Sequence, residues 1–266
     1  MFEQHAHVMH IMLAVSAAHR RTLSGNPGQS PEELAHLTHA ISIFRRTLER
    51  DWDQEADAVL TTSMFLCILH FLDGPIPVDR ASTQTQLRSQ SFSWMQVQIG
   101  LVPLLARASE HASSNIWLPF FNDSDPDLSL LHDERSGTKG IPDQFVSLFE
   151  ISPNSDCDYH PYLRPLRRIC ALLAIEKSPR NVLKFMQFVQ GLSSKFIQLL
   201  QQLDPRALLL FGYWVSLLRD TELWWCRDRM RNQYRAICAH LKEHHPNMLS
   251  YLAIPPTGCG YQLAEK

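Results

Sequence analysis

The sequence predicts an all-α protein, a single irregular helical bundle of about nine or ten helices with a long middle loop. Three observations predict it. Apolar residues recur at helical spacing along most of the 266 residues. No stretch of useful length alternates in the manner of a half-buried strand. Glycine is scarce, at 10 residues, which disfavours the tight turns of all-β folds and glycine-rich phosphate loops alike.

The first helix covers residues 2–20, with Val8, Ile11, Met12, Val15 and Ala18 on one stripe. The turn cluster Ser24-Gly25-Asn26-Pro27-Gly28 ends it. Ser30, Pro31 and Glu33 form an N-cap, a first-turn proline and a capping box, and open a second helix with Leu34, Leu37, Ile41, Phe44 and Leu48 inward. A third helix runs over 53–72 and stops at Asp73-Gly74-Pro75. Residues 73–90 are rich in Ser, Thr and Gln and read as a loop. Helix returns over 92–108, with Pro103 expected to kink or divide it.

Residues 109–157 concentrate turn formers and are expected to be a mobile connection with short helical pieces inside a single 1–266 domain. Helix resumes after Asp158, with Tyr162, Leu166, Ile169, Leu172 and Leu173 on one stripe. Ser178-Pro179 opens the next helix, and Gly191 separates it from one over 196–203. Asp204-Pro205 repeats the cap-and-proline signal and opens the most hydrophobic helix, 206–218. A last helix covers 222–241, and His244-His245-Pro246 stops it.

Composition excludes several function classes. The net charge is −2, so the total carries no electrostatic footprint for nucleic acid. The basic clusters Arg164/Arg167/Arg168 and Arg227/Arg229/Arg231/Arg235 read as solvated helix faces with salt bridges. Cys67, Cys157, Cys170, Cys226, Cys238 and Cys259 include no close pair of the kind that wraps a structural zinc ion. No N-terminal signal is read in residues 1–18, so a reducing compartment, nuclear or cytosolic, with free thiols is expected. The longest apolar runs, 59–72 and 207–218, are shorter than the ~20 residues of a membrane span, so no span is expected.

No nucleophile elbow, P-loop or dinucleotide fingerprint is present, and no catalytic residue and no cofactor is assigned. Thirteen histidines invite a metal site. His5, His7 and His10 are close in sequence, but no carboxylate stands at ligand spacing on their face, so no metal ligand is assigned. His36, His39, His244 and His245 read as surface residues.

Phe211, Tyr213, Trp214, Trp224 and Trp225 fall close together in the chain, with Met230 beyond. They read as an aromatic core or as an apolar pocket for a flat hydrophobic ligand. The candidate pocket lies between the 59–72, Trp94 and 206–218 helices, lined by Phe65, Leu69, Trp94, Phe211 and Trp214. Gly212 would permit close approach of a ligand or of a neighbouring helix.

Several segments, in order, carry a resemblance. They are His10-Ile-Met-Leu-Ala-Val-Ser-Ala-Ala-His19, Asp57-Ala-Val-Leu-Thr-Thr-Ser-Met-Phe-Leu66, Ser93-Trp94-Met95 with Gly100, and Asp204-Pro-Arg-Ala-Leu-Leu-Leu-Phe-Gly-Tyr-Trp-Val-Ser-Leu-Leu218. Trp224-Trp225, Arg235-Ala-Ile237 and Leu241 follow. Together they resemble the C-terminal regulatory domain of the fungal zinc binuclear cluster transcription factors, in the sterol-uptake-regulator and aflatoxin-regulator-like branch. The match lacks that family's six-cysteine DNA-binding cluster, so neither direct DNA contact nor zinc binding is expected of this chain.

The resemblance implies a nuclear regulatory domain that binds a hydrophobic small molecule, sterol-like by analogy, or a protein co-regulator, with a homodimer as one possibility. The alternative is a stand-alone protein of secondary metabolism that binds or cyclises an apolar intermediate.

Overall fold

Proline and small polar residues punctuate the chain, and several helices of the computed structural model begin or end where they stand. The structure describes residues 5–26, 28–72, 93–111 and 133–253. Among these there are eleven α-helices and no strand. They are α1 (Ala6–Leu23), α2 (Pro31–Leu48), α3 (Ala56–Leu72), α4 (Ser93–His111), α5 (Asp143–Leu148), α6 (Leu163–Leu173), α7 (Val182–Gln190), α8 (Ser194–Gln201), α9 (Pro205–Arg219), α10 (Arg227–His244) and α11 (Pro246–Ala253). The all-α expectation holds. The expected loop 73–90 lies outside the described residues.

The caps read from sequence are present. Ser30 accepts the Glu33 amide, and Asp204 accepts the Ala207 amide at 2.8 Å, each ahead of a first-turn proline. Pro103 lies inside α4 without dividing it. Ser178 caps a short 3₁₀ turn, Pro179–Asn181, that leads into α7. Pro246 ends α10 but also starts α11, a helix absent from the sequence-based reading. A proline suits the first turn of one helix as well as it terminates another.

The chain divides into two compact units. In the first, α1, α2 and α3 pack on one another and α4 packs on α3. The segment Trp224–Arg229 belongs to the same unit. Its core has two parts. Phe44, Trp52, Val59, Leu60 and Leu101 form one, and Ile11, Ala14, Ala18, Ala40 and Leu69 the other. With its leading turn, α3 spans 20 residues and holds an 18-residue stretch with a mean hydropathy of 1.4, long and apolar enough to cross a membrane. Its Val59, Leu60, Cys67, Leu69 and Phe71 are instead buried within this unit, as in a core helix.

In the second unit, α9 is the central helix. Helices α6, α7, α8 and α11 all pack against it. Its residues from Ala207 to Val215 are buried without exception, which explains an apolar sequence with no polar face.

Within the 109–157 stretch, residues 112–132 lie outside the described residues. The remainder is anchored by Phe145 and Phe149 on and beside α5, both fully buried, and by Arg167 of α6. The Arg167 guanidinium is also fully buried. It donates to the Asp133 carboxylate at 3.1 Å and to the carbonyls of Gly137 and Lys139 at 2.8 and 2.9 Å. The sequence reading had placed this arginine on a solvated face. Burial is tolerated because a carboxylate and several carbonyls replace its water.

Candidate functional site

Three chain segments of the first unit build a cleft of about 240 Å³. The end of α1 supplies Arg21, Thr22, Gly25 and Asn26, the end of α3 supplies Phe71 and Leu72, and the segment Trp224–Arg229, which turns into the start of α10, supplies Trp224, Trp225, Asp228 and Arg229.

Each segment is placed by local chemistry. Gly25 adopts φ +68°, and the Asn26 amide reaches back to the Arg21 carbonyl at 3.2 Å. This left-handed stop turns the chain sharply after α1. Arg229 donates to the His70 and Phe71 carbonyls at 2.8 and 2.7 Å. A cation on the last carbonyls of α3 satisfies their orphaned acceptors and complements the helix dipole. That clamp holds 224–229 against α3.

The walls are aromatic and half-buried. Trp224 stacks on His19 at 4.2 Å between centroids, with planes 12° apart. Trp225 meets Phe71 edge-on at 5.1 Å, and Phe71 in turn packs on Trp94 at 4.7 Å. The rim is polar but close to neutral. Arg21 forms a two-pronged pair with Glu33 at 2.8 and 2.9 Å, with both side chains largely buried. The Asp228 carboxylate is exposed and accepts from Arg227 at 3.0 Å. Flat apolar faces above polar groups suit a planar ligand with hydroxyl or amide substituents. Both lining cations are already engaged, Arg21 by Glu33 and Arg229 by the α3 carbonyls.

The profile of the family described as "fungal specific transcription factor domain" matches residues 1–187. The chain belongs to that family. No curated protein matches it. In this fungal transcription factor domain, the match includes the α1 and α3 walls of the cleft, whereas Trp224–Arg229 lies beyond its end.

The six residues expected to line a pocket are divided between the units, with Phe65, Leu69 and Trp94 in the first and Phe211, Gly212 and Trp214 in the second. None lines the cleft at Trp224 and Trp225. Phe65 and Leu69 pack with α1 and α2 residues, and Trp94 with Phe71. Trp214 is fully buried between Phe188 and Phe211, and its indole donates to the Phe185 carbonyl at 2.7 Å. A methyl group at Gly212 would come 2.9 Å from Leu252 of α11 and 3.5 Å from Ile237 of α10. Its close neighbours are therefore helices. Trp224 and Trp225 were flagged by sequence. Their partners Arg21 and Phe71 were not, because they are distant in the chain, and Arg229, read from sequence as part of a solvated basic face, instead binds the last carbonyls of α3.

The N-terminal histidines separate in space. His10 faces α2, with its Nδ1 3.0 Å from that of His36 and its ring stacked on His39 at 5.2 Å. His7 faces α3 and is 2% exposed, with Nδ1 2.7 Å from the Thr62 hydroxyl. Its Nε2 is buried without a hydrogen-bond partner. His5 Nδ1 lies 3.1 Å from Glu55 Oε2.

Proposed function

We propose that this chain is the regulatory domain of a fungal transcription regulator acting in the nucleus, and that the cleft of the first unit between the ends of α1 and α3 and the segment Trp224–Arg229 is its effector site. Membership of the transcription factor domain family supports a regulatory role over a catalytic one. The observation that carries the effector reading is the pair Trp224 and Trp225, half-buried and lining an open cleft. A cleft of about 240 Å³ is smaller than the ~300–1,000 Å³ of drug-sized pockets. It favours a planar molecule of one or two rings over a sterol.

Tryptophan fluorescence tests this reading. Titration with compact planar aromatic metabolites should produce a saturable quench that Trp224→Ala removes, whereas sterols should produce none. Fused to an unrelated DNA-binding module, the chain should drive a reporter that the same ligand modulates. Absence of any saturable response, together with a reporter indifferent to every ligand, would remove the effector reading.

A second reading is favoured by α1. Met9, Met12 and Leu13 are all exposed at i, i+3 and i+4 spacing, which presents one apolar face. A protein co-regulator or a second copy of the chain would dock there. Sedimentation velocity of the parent and of Leu13→Glu separates the two, since only self-association would depend on concentration and be lost in the variant.

A further inference from the structure

Outside the cleft, the first unit holds a cluster of potential ligands that no role described so far uses. One imidazole nitrogen each of His5 and His7 and one carboxylate oxygen of Glu55 all lie within 4.8 Å of one another. His5 precedes the first turn of α1, His7 sits in that turn, and Glu55 ends the 3₁₀ turn before α3. The carboxylate missing from the histidines' own helix is thus supplied from fifty residues away in sequence.

We propose that His5, His7 and Glu55 form a binding site for one divalent transition-metal ion, with zinc the best match to the ligand set. Two histidines and one carboxylate are a recurrent zinc triad with an open fourth position for water or another ligand.

Geometry supports the assignment. In a tetrahedral site with bonds near 2.0–2.1 Å, neighbouring ligand atoms stand about 3.3 Å apart. His5 Nδ1 and Glu55 Oε2 are already at 3.1 Å. All three ligand atoms lie within 4.8 Å of one another, so an ion would draw the wider pairs closer together.

The surroundings are those of a held ligand set. If the His7 Nδ1–H donates to the Thr62 hydroxyl, the tautomer leaves the Nε2 lone pair for a metal, and Nε2 is the buried atom without a partner. Burial, reinforced by the neighbouring His5, pushes the His7 pKa down to about 4, so the ring is a neutral ligand at physiological pH. Arg50 holds the other carboxylate oxygen, Oε1, at 2.6 Å and orients Oε2. A proton between His5 and Glu55 pairs those two groups without an ion, but leaves His7 Nε2 unsatisfied.

The experiment uses the untagged 266-residue chain, stripped of metal and titrated with Zn²⁺ by calorimetry and with Co²⁺ by visible absorption. One saturable site is expected, with the intense d–d bands of tetrahedral Co²⁺. Glu55→Gln and His5→Asn, both at half-buried positions, should each weaken Zn²⁺ binding at least about tenfold. His36→Asn, which alters the other histidine cluster of this unit, should leave affinity unchanged. His7→Asn should abolish binding if it folds, and the two half-buried variants decide the matter if it does not. No saturable binding by the parent would overturn the assignment. So would binding that survives Glu55→Gln and His5→Asn, or a thiolate-to-Co²⁺ charge-transfer band, which would place the ion on cysteine.

Discussion

Trp214 performs two functions at one position. Its ring fills the space between Phe188 and Phe211, and its N–H satisfies the Phe185 carbonyl of α7. Truncation to alanine removes both, so Trp214→Ala should cost about 3–5 kcal/mol, chiefly for the cavity. Trp214→Phe should cost less, because most of the volume remains. Urea titration of both variants checks the order, and a Trp214→Ala midpoint equal to the parent's would mean the ring is not core. Gly191 is equally constrained. A methyl group there would overlap the Arg168 guanidinium, which lies on the glycine and donates to the Gln187 carbonyl at 3.4 Å. Burial lowers the pKa of that arginine to about 10, so it stays charged under physiological conditions. Sequence reading recognised Gly191 as a helix break, but the reason is a side chain from α6.

Helix boundaries follow local chemistry where a cap is visible, and fail where the stop is a non-glycine residue in the left-handed region. Leu203 ends α8 at φ +61°, with the Asp204 amide bonded to the Leu199 carbonyl at 2.9 Å. Glu150 ends α5 in the same way at φ +56°, with the Ile151 amide on the Val146 carbonyl. Neither residue type signals such a turn. The segment 133–142 depends on α6 in a way no local pattern shows. Arg167→Met removes the cation that binds the Gly137 and Lys139 carbonyls and faces Asp133. Breaking a buried charged network of this kind costs about 3–5 kcal/mol. Limited proteolysis of the variant should show a cut within 133–142 that the parent lacks. An unchanged digestion pattern would show that Phe145 and Phe149 hold the segment unaided.

For the whole molecule, acid should weaken the fold below the ordinary histidine pKa. Burial depresses the pKa of His160 below 6.5, and the cations Arg206 and Lys195 add to the effect against Glu150. The neutral ring is therefore favoured in the folded state. Its contribution is complete above pH 6.5 and is lost as pH falls towards the lowered folded value, because the unfolded chain binds the proton first. The urea midpoint should fall from about pH 7 to pH 5, and His160→Gln should flatten that slope. A variant profile parallel to the parent's would assign the acid sensitivity to other groups.

The sequence by itself determined the helical class, most helix starts and the membership of α9 in a core. Those follow from short-range physics: apolar period, capping residues and the rigidity of proline. It also marked Trp224 and Trp225 as unusual. Only the tertiary structure decided which distant residues meet. Arg229 finds the last carbonyls of α3, Glu55 finds His5, and Leu252 finds Gly212. No local pattern encodes these meetings, because each depends on where the packing of apolar faces carries a helix end. The cleft and the histidine–carboxylate cluster both arise at such ends, where the backbone changes direction and side chains from separate helices converge.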